Sequence, residues 1–221
     1  MPSTIQKMSS YKSLIQKYGT PIAKEKYYEL VLYAEERHIG LSCFKEFVGD
    51  IEIIKQIIDD ILIIAKDFPL ILSPKQGIIL ELDYEMGTDF ATTKNKHIIH
   101  LNAVYYSNID ILITDYNEGV SERRFVKNTD WHSVIKHEVG HVVANLYHLK
   151  PMEIAKRVLK TDSKLKVLDE LTDLLSIYST ELEDGTEIIS ESFSGYYGNA
   201  NNTFANAYVA ECQRIIAKGG V

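Results

Sequence analysis

Two histidines and a glutamate interrupt the apolar run VIKHEVGHVV at residues 134–143. On a helix, residues four apart stand one above the other, so His137 and His141 project their rings from one face at a separation that a single ion bridges. Neutral imidazole pairs suit Zn²⁺, and an open coordination position suits a catalytic ion rather than a structural one. Glu138 turns aside from the ligand face, where it can hydrogen-bond a water beside the ion and act as general base. Burying an unpaired histidine pair in so apolar a segment would be costly, which favours a metal as its partner.

Zinc needs a third protein ligand. The extended motif HExxHxxGxxH is excluded, because Ala144 and Tyr147 stand where its glycine and third histidine belong. His148 shares a helical face with His141 but lies about 10 Å further along the axis, beyond reach of the same ion, and is expected to cap or cover the helix end. The segment TEIISESFSGYY at residues 186–197 offers a better candidate. Glu187 and Glu191 are four apart on one face, with Ile188, Ile189 and Phe193 to pack behind them, and two carboxylates aimed at one buried point need a cation. Glu187 is expected to ligate the metal, and Glu191 to accept the ring N–H of a ligating histidine and set its tautomer.

HEVGH followed by EIISESF and aromatic residues resembles the catalytic module of the anthrax lethal-factor family, which includes the Pro-Pro endopeptidases. The resemblance covers about the last 90 residues, with Ser190 where alanine is usual. It implies a zincin-like metallopeptidase domain of the glutamate-ligand class over residues 76–221, with a small twisted sheet, an active-site helix and a C-terminal helical part. It also implies that the strand from His97 to Asn102 is the edge strand that pairs with extended substrate, and that a tyrosine before the third ligand serves the oxyanion. Tyr178 fits that place, although two residues further from Glu187 than the family spacing, and Tyr196 and Tyr197 are alternatives.

The elements that must position these groups follow from periodicity. Apolar residues at helical spacing run from Ile22 to His38, with Gly40 as the stop, and from Ile51 to Ile64, ended by Pro69. Residues 1–75 are therefore an N-terminal helical region, either a recognition unit or the scaffold behind the sheet. The period then changes. Residues 78–84 and 97–106 are β-branched and aromatic, as paired strands are, and 111–114 suggests another short strand before a charged loop over 118–128. Asn128, Thr129 or Asp130 can cap the helix that carries HEVGH until Lys150 and Pro151 stop it, and three helices follow over about 163–179, 186–197 and 203–217. Strands in the middle and helices at the end make an α+β layout.

Composition narrows the partners. The 221 residues carry a net charge of −7, against the basic stripe usual in nucleic-acid binders. No apolar run approaches the roughly 20 residues of a membrane span, and no signal peptide is evident at the N-terminus, so a cytoplasmic location is expected. Cys43 and Cys212 lie outside any CxxC pattern and are expected to be buried free thiols. His38, His97, His100 and His132 are expected at the surface or at strand edges, with His100 placed to line a cleft. The expected function is zinc-dependent hydrolysis of a protein or peptide substrate. Two other readings compete: a non-catalytic, zinc-stabilised structural or regulatory subunit, such as a phage or mobile element encodes, and an intracellular peptidase that cleaves a repressor.

Overall fold

Six isoleucines at spacings of three and four, Ile51 to Ile64, form the buried stripe of one helix, Ile51–Ala65. Asp50 starts it by accepting the Glu52 N–H at 3.0 Å, and Pro69 opens the 3-10 turn Pro69–Leu72 beyond its end. The computed structural model describes residues 19–182, 184–199 and 201–219; residues 1–18 of the expected N-terminal helical region lie outside them. In chain order the elements are α1 (Lys24–Glu35), β1 (Gly40–Ser42), α2 (Ile51–Ala65), β2 (Ile79–Asp83), β3 (Ala91–Lys94), β4 (Ile98–Asn102), α3 (Ala103–Tyr106), α4 (Ile109–Ser121), α5 (Ser133–Leu146), α6 (Pro151–Leu159), α7 (Lys164–Leu174), α8 (Thr186–Tyr197) and α9 (Thr203–Ala217). The fold is α+β, with a small four-stranded sheet among the described residues.

The sheet order is β1-β2-β4-β3. β1, β2 and β4 run parallel, and β3 lies antiparallel to β4 at the edge. The register places Leu80, Ile99 and Thr93 in one row and Leu82, Leu101 and Ala91 in the next, so these side chains share the face turned to the helices. β1 ties the N-terminal region into this sheet, and Leu30 of α1 and the α2 isoleucines belong to the same core as Val139 of α5 and Phe193 of α8.

Several expectations are corrected. Residues 111–114 are helical within α4, because their apolar positions belong to a stripe that buries Leu112, Tyr116 and Gly119. The expected strand over 97–106 stops at Asn102, whose side chain accepts the Val104 N–H and begins α3. That strand is β4, hydrogen-bonded on both sides, and the edge strand is β3. Pro151 does not end α5, which stops at Leu146, but starts another helix: it sits in the first turn of α6, where a missing N–H costs nothing. The helix expected over 163–179 ends at Leu174. Cys212 is buried as expected, but Cys43 is exposed, at a left-handed backbone position (φ 64°) just past β1.

α5 and α8 meet at Gly140. A Cβ there would come within 2.8 Å of Ser190 Cα and 3.2 Å of the Ile189 carbonyl oxygen. Both are backbone atoms of α8 and cannot swing aside. Gly140→Ala is expected to cost about 1–3 kcal/mol through overpacking, measured as a lower urea midpoint with an unchanged m-value.

Candidate metal centre

α5 begins after a turn in which Asp130 accepts the His132 N–H at 3.1 Å and the Ser133 N–H at 2.8 Å. It ends where His148 takes a left-handed conformation (φ 53°) and the Leu149 N–H bonds back to Ala144. A glycine-like turn of this kind stops a helix, so His148 serves the helix end and stays exposed. A second anchor joins α5 to α2. Asp60 lies 2.6 Å from His132 Nδ1 and 3.4 Å from Lys136 Nζ, and Asp60 and Lys136 are both buried. His132, expected at the surface, is thus half-buried in an ion-pair network that holds the rotation of α5.

That rotation aims His137 and His141 at α8. Among the described residues, His137, His141 and Glu187 offer ligand atoms that all lie within 4.8 Å of one another, and the group could hold a metal ion. Glu187 Oε2 lies 3.1 Å from His137 Nε2 and 3.5 Å from His141 Nε2. Yet this oxygen is buried and accepts no hydrogen bond of good geometry. A buried carboxylate oxygen facing two ring nitrogens without a directed bond is a donor that a cation would satisfy, so the residues fit a metal.

Around this core the polar partners are ordered. His137 Nδ1 lies 2.8 Å from Glu191 Oε1, and the other Glu191 oxygen accepts the Ser176 hydroxyl at 2.6 Å. Glu191 thereby fixes the His137 tautomer that turns Nε2 toward Glu187. Ser176 is held in turn, since its hydroxyl oxygen accepts the Ser179 N–H at 3.1 Å. The same short turn carries Tyr178, whose ring centroid is 5.7 Å from that of His137. Glu138 Oε2 accepts the Thr93 hydroxyl from β3 at 2.8 Å. Ser190, conspicuous in sequence only as a departure from alanine, places its hydroxyl 3.0 Å from each ring nitrogen of His141.

The structure thus brings His137, Glu138, His141, Tyr178, Glu187 and Glu191 to one place, and all six line a single cleft of about 1150 Å³. Tyr197 is directed elsewhere: its hydroxyl donates to Asp67 at 2.7 Å, and Tyr196 packs edge-on against it. His100 does not line the cleft. It projects from the face of β4 opposite to Thr93, beside Glu81 at 3.3 Å and Asp83 at 3.6 Å. The sequence assigns no role to Thr93 or Ser176, and marks Ser190 only as a departure from alanine. A lone hydroxyl carries no periodic signal, and each acts across a contact between distant segments.

No family model, curated protein or solved structure matches the chain.

The electrostatics of the metal-free site are coupled. Burial opposes a charge on His137, but Glu187 and Glu191 outweigh it and raise the imidazolium to about 10, from an ordinary 6.5. Burial likewise opposes the Glu187 charge, yet His137 and His141 hold that carboxyl down at about 2. A proton on His137 therefore stands in for the cation at neutral pH. It stabilises the metal-free fold fully below about pH 6.5, and this contribution is lost as the pH rises through about 10. A divalent metal must displace that proton. Zinc affinity is expected to rise roughly tenfold per pH unit across neutrality, with about one proton released per ion. Calorimetry in buffers of different ionisation enthalpy measures the release; none at pH 7.5 would contradict the raised His137.

Proposed function

We propose that the protein is a zinc-dependent endopeptidase of the zincin type with a glutamate third ligand, acting on a protein or peptide substrate. One observation carries the reading above a structural role for the ion: the three donors line an open cleft that is also lined by the edge strand β3, through Ala91, Thr92 and Thr93. Structural zinc sites close all four positions with protein ligands, whereas catalytic sites keep one open to water and substrate.

A zinc ion held by His137, His141 and Glu187 would supply a Lewis acid for the scissile carbonyl and acidify water beside it. The remaining work belongs to side chains and backbone. The free edge of β3 pairs with the substrate main chain, as sheet edges do with extended peptides. Glu138 takes the proton of the attacking water and hands it to the leaving amine, and the Thr93 hydroxyl keeps the carboxylate oriented for both transfers. Burial, with the charge of Glu187 next, raises the Tyr178 phenol well above its ordinary value. It therefore remains a proton donor throughout the working range and can hydrogen-bond the oxyanion.

Metal content comes first: one zinc per chain, largely lost in Glu187→Ala and weakened in Glu191→Ala. Hydrolysis of a broad peptide library then tests the chemistry. Glu138→Gln is expected to keep its zinc and lose about 10²–10⁴-fold in rate, and Tyr178→Phe about 10²–10³-fold. A fully active Glu138→Gln protein would sink the mechanism, and zinc-loaded wild type that cuts no library member would sink the peptidase reading.

A further inference from the structure

The cleft extends past the metal centre, along the N-terminal turn of α5 where Ser133 and Val134 line it, to the C-terminal half of α4. Aromatic rings form the wall of this branch. Tyr116 and Phe125 stack with centroids 4.8 Å apart and planes 3° from parallel, and Phe90 lies 5.9 Å from Phe125. Gly119 makes the arrangement possible, since a Cβ there would meet Phe125 Cε2 at 2.5 Å. Beside these rings stand carboxylates: Asp115 and Glu118 from α4 and Asp89 from the turn before β3. Among the described residues Arg124 is the one lysine or arginine lining the cleft, and it is held by Glu122 at 3.0 Å. Asp115 accepts the Tyr105 hydroxyl at 3.1 Å, so the branch joins aromatic rings to carboxylates that a neutral hydroxyl, rather than a lysine or arginine, partners among the described residues.

For a peptide added antiparallel to β3, the strand's direction sets which part of a substrate would reach the branch. Thr93 stands at Glu138, while Phe90, just before the strand, stands among the rings. A peptide added antiparallel to β3 runs the opposite way, so the residues C-terminal to the scissile bond pass Phe90. An apolar side chain entering there would strip water from Asp115 and Glu118 and return no charge to them, and an acidic one would be repelled. A long cationic side chain satisfies both parts of the branch, with its stem and charge on the ring faces and its head at the carboxylates.

On the peptidase reading above, we propose that this branch is a specificity subsite for a lysine or arginine on the C-terminal side of the cut. The test is a peptide library randomised at every position, with cleavage sites read by mass spectrometry for wild type and for Asp115→Asn/Glu118→Gln. Retention of the same library is measured on zinc-loaded Glu138→Gln protein, with and without those two substitutions. Enrichment of lysine and arginine within three residues after the cut, falling about tenfold in the double variant, is the expected result. Cleavage without that enrichment, or with enrichment that survives the double variant, overturns the subsite and leaves the peptidase intact. No cleavage, with cationic peptides retained through Asp115 and Glu118, overturns the peptidase and keeps a cation-binding cleft; no cleavage and no selective retention overturns both.

Discussion

The close crossing of α5 and α8 is the constraint on which the site depends. The two helices approach until the α-carbon of Gly140 faces the backbone of Ser190 and Ile189. Only at that distance can Glu187, a short side chain on one helix, meet the ring nitrogens of His137 and His141 on the other. A methyl group at the crossing would separate the helices at the point where the ligand set closes. Packing density and the closeness of the three donor groups are therefore one requirement here.

Charge explains why so many supporting contacts surround the three candidate ligands. Glu138, Glu187 and Glu191 are all buried, and each buried carboxylate needs a hydrogen-bond donor or a cation near it. Glu191 is satisfied by His137 and Ser176, and Glu138 by Thr93. Glu187 has only the two imidazoles and, in their company, whatever ion or proton they share. The same logic holds at the other end of the HEVGH helix. There Asp60 is compensated by Lys136 and His132, so the helix that carries the ligands is pinned from the α2 side as well as from α8.

The sheet contributes an edge. β1, β2 and β4 are parallel and bury their inward residues, while β3 is short, polar and antiparallel, with one side free over the cleft. Its sequence, ATTK, has no apolar alternation to announce it. It forms because β4 offers a partner and because Asn102 holds the preceding turn, donating to the carbonyls of Gly87 and Asp89 at 3.2 and 2.7 Å.

What the sequence by itself determined was the placement of side chains within the helices whose period was unambiguous. A spacing of four put His137 over His141 and Glu187 over Glu191, and spacings of three and four marked the buried face of α2. These patterns are local, and the helix that satisfies them is the only structure that does. Period failed where local preference and tertiary context disagreed. Ile111–Thr114 is β-branched enough to read as a strand, yet it belongs to the stripe of α4. The strand from His97 to Asn102, an edge strand by the family resemblance, has β3 paired outside it. Which tyrosine faces the metal centre, which hydroxyls hold Glu138, His141 and Glu191, and which acids stand beside the aromatic wall were decided only by tertiary structure. Each of those facts is a distance between segments far apart in the chain, and no spacing within one segment encodes it.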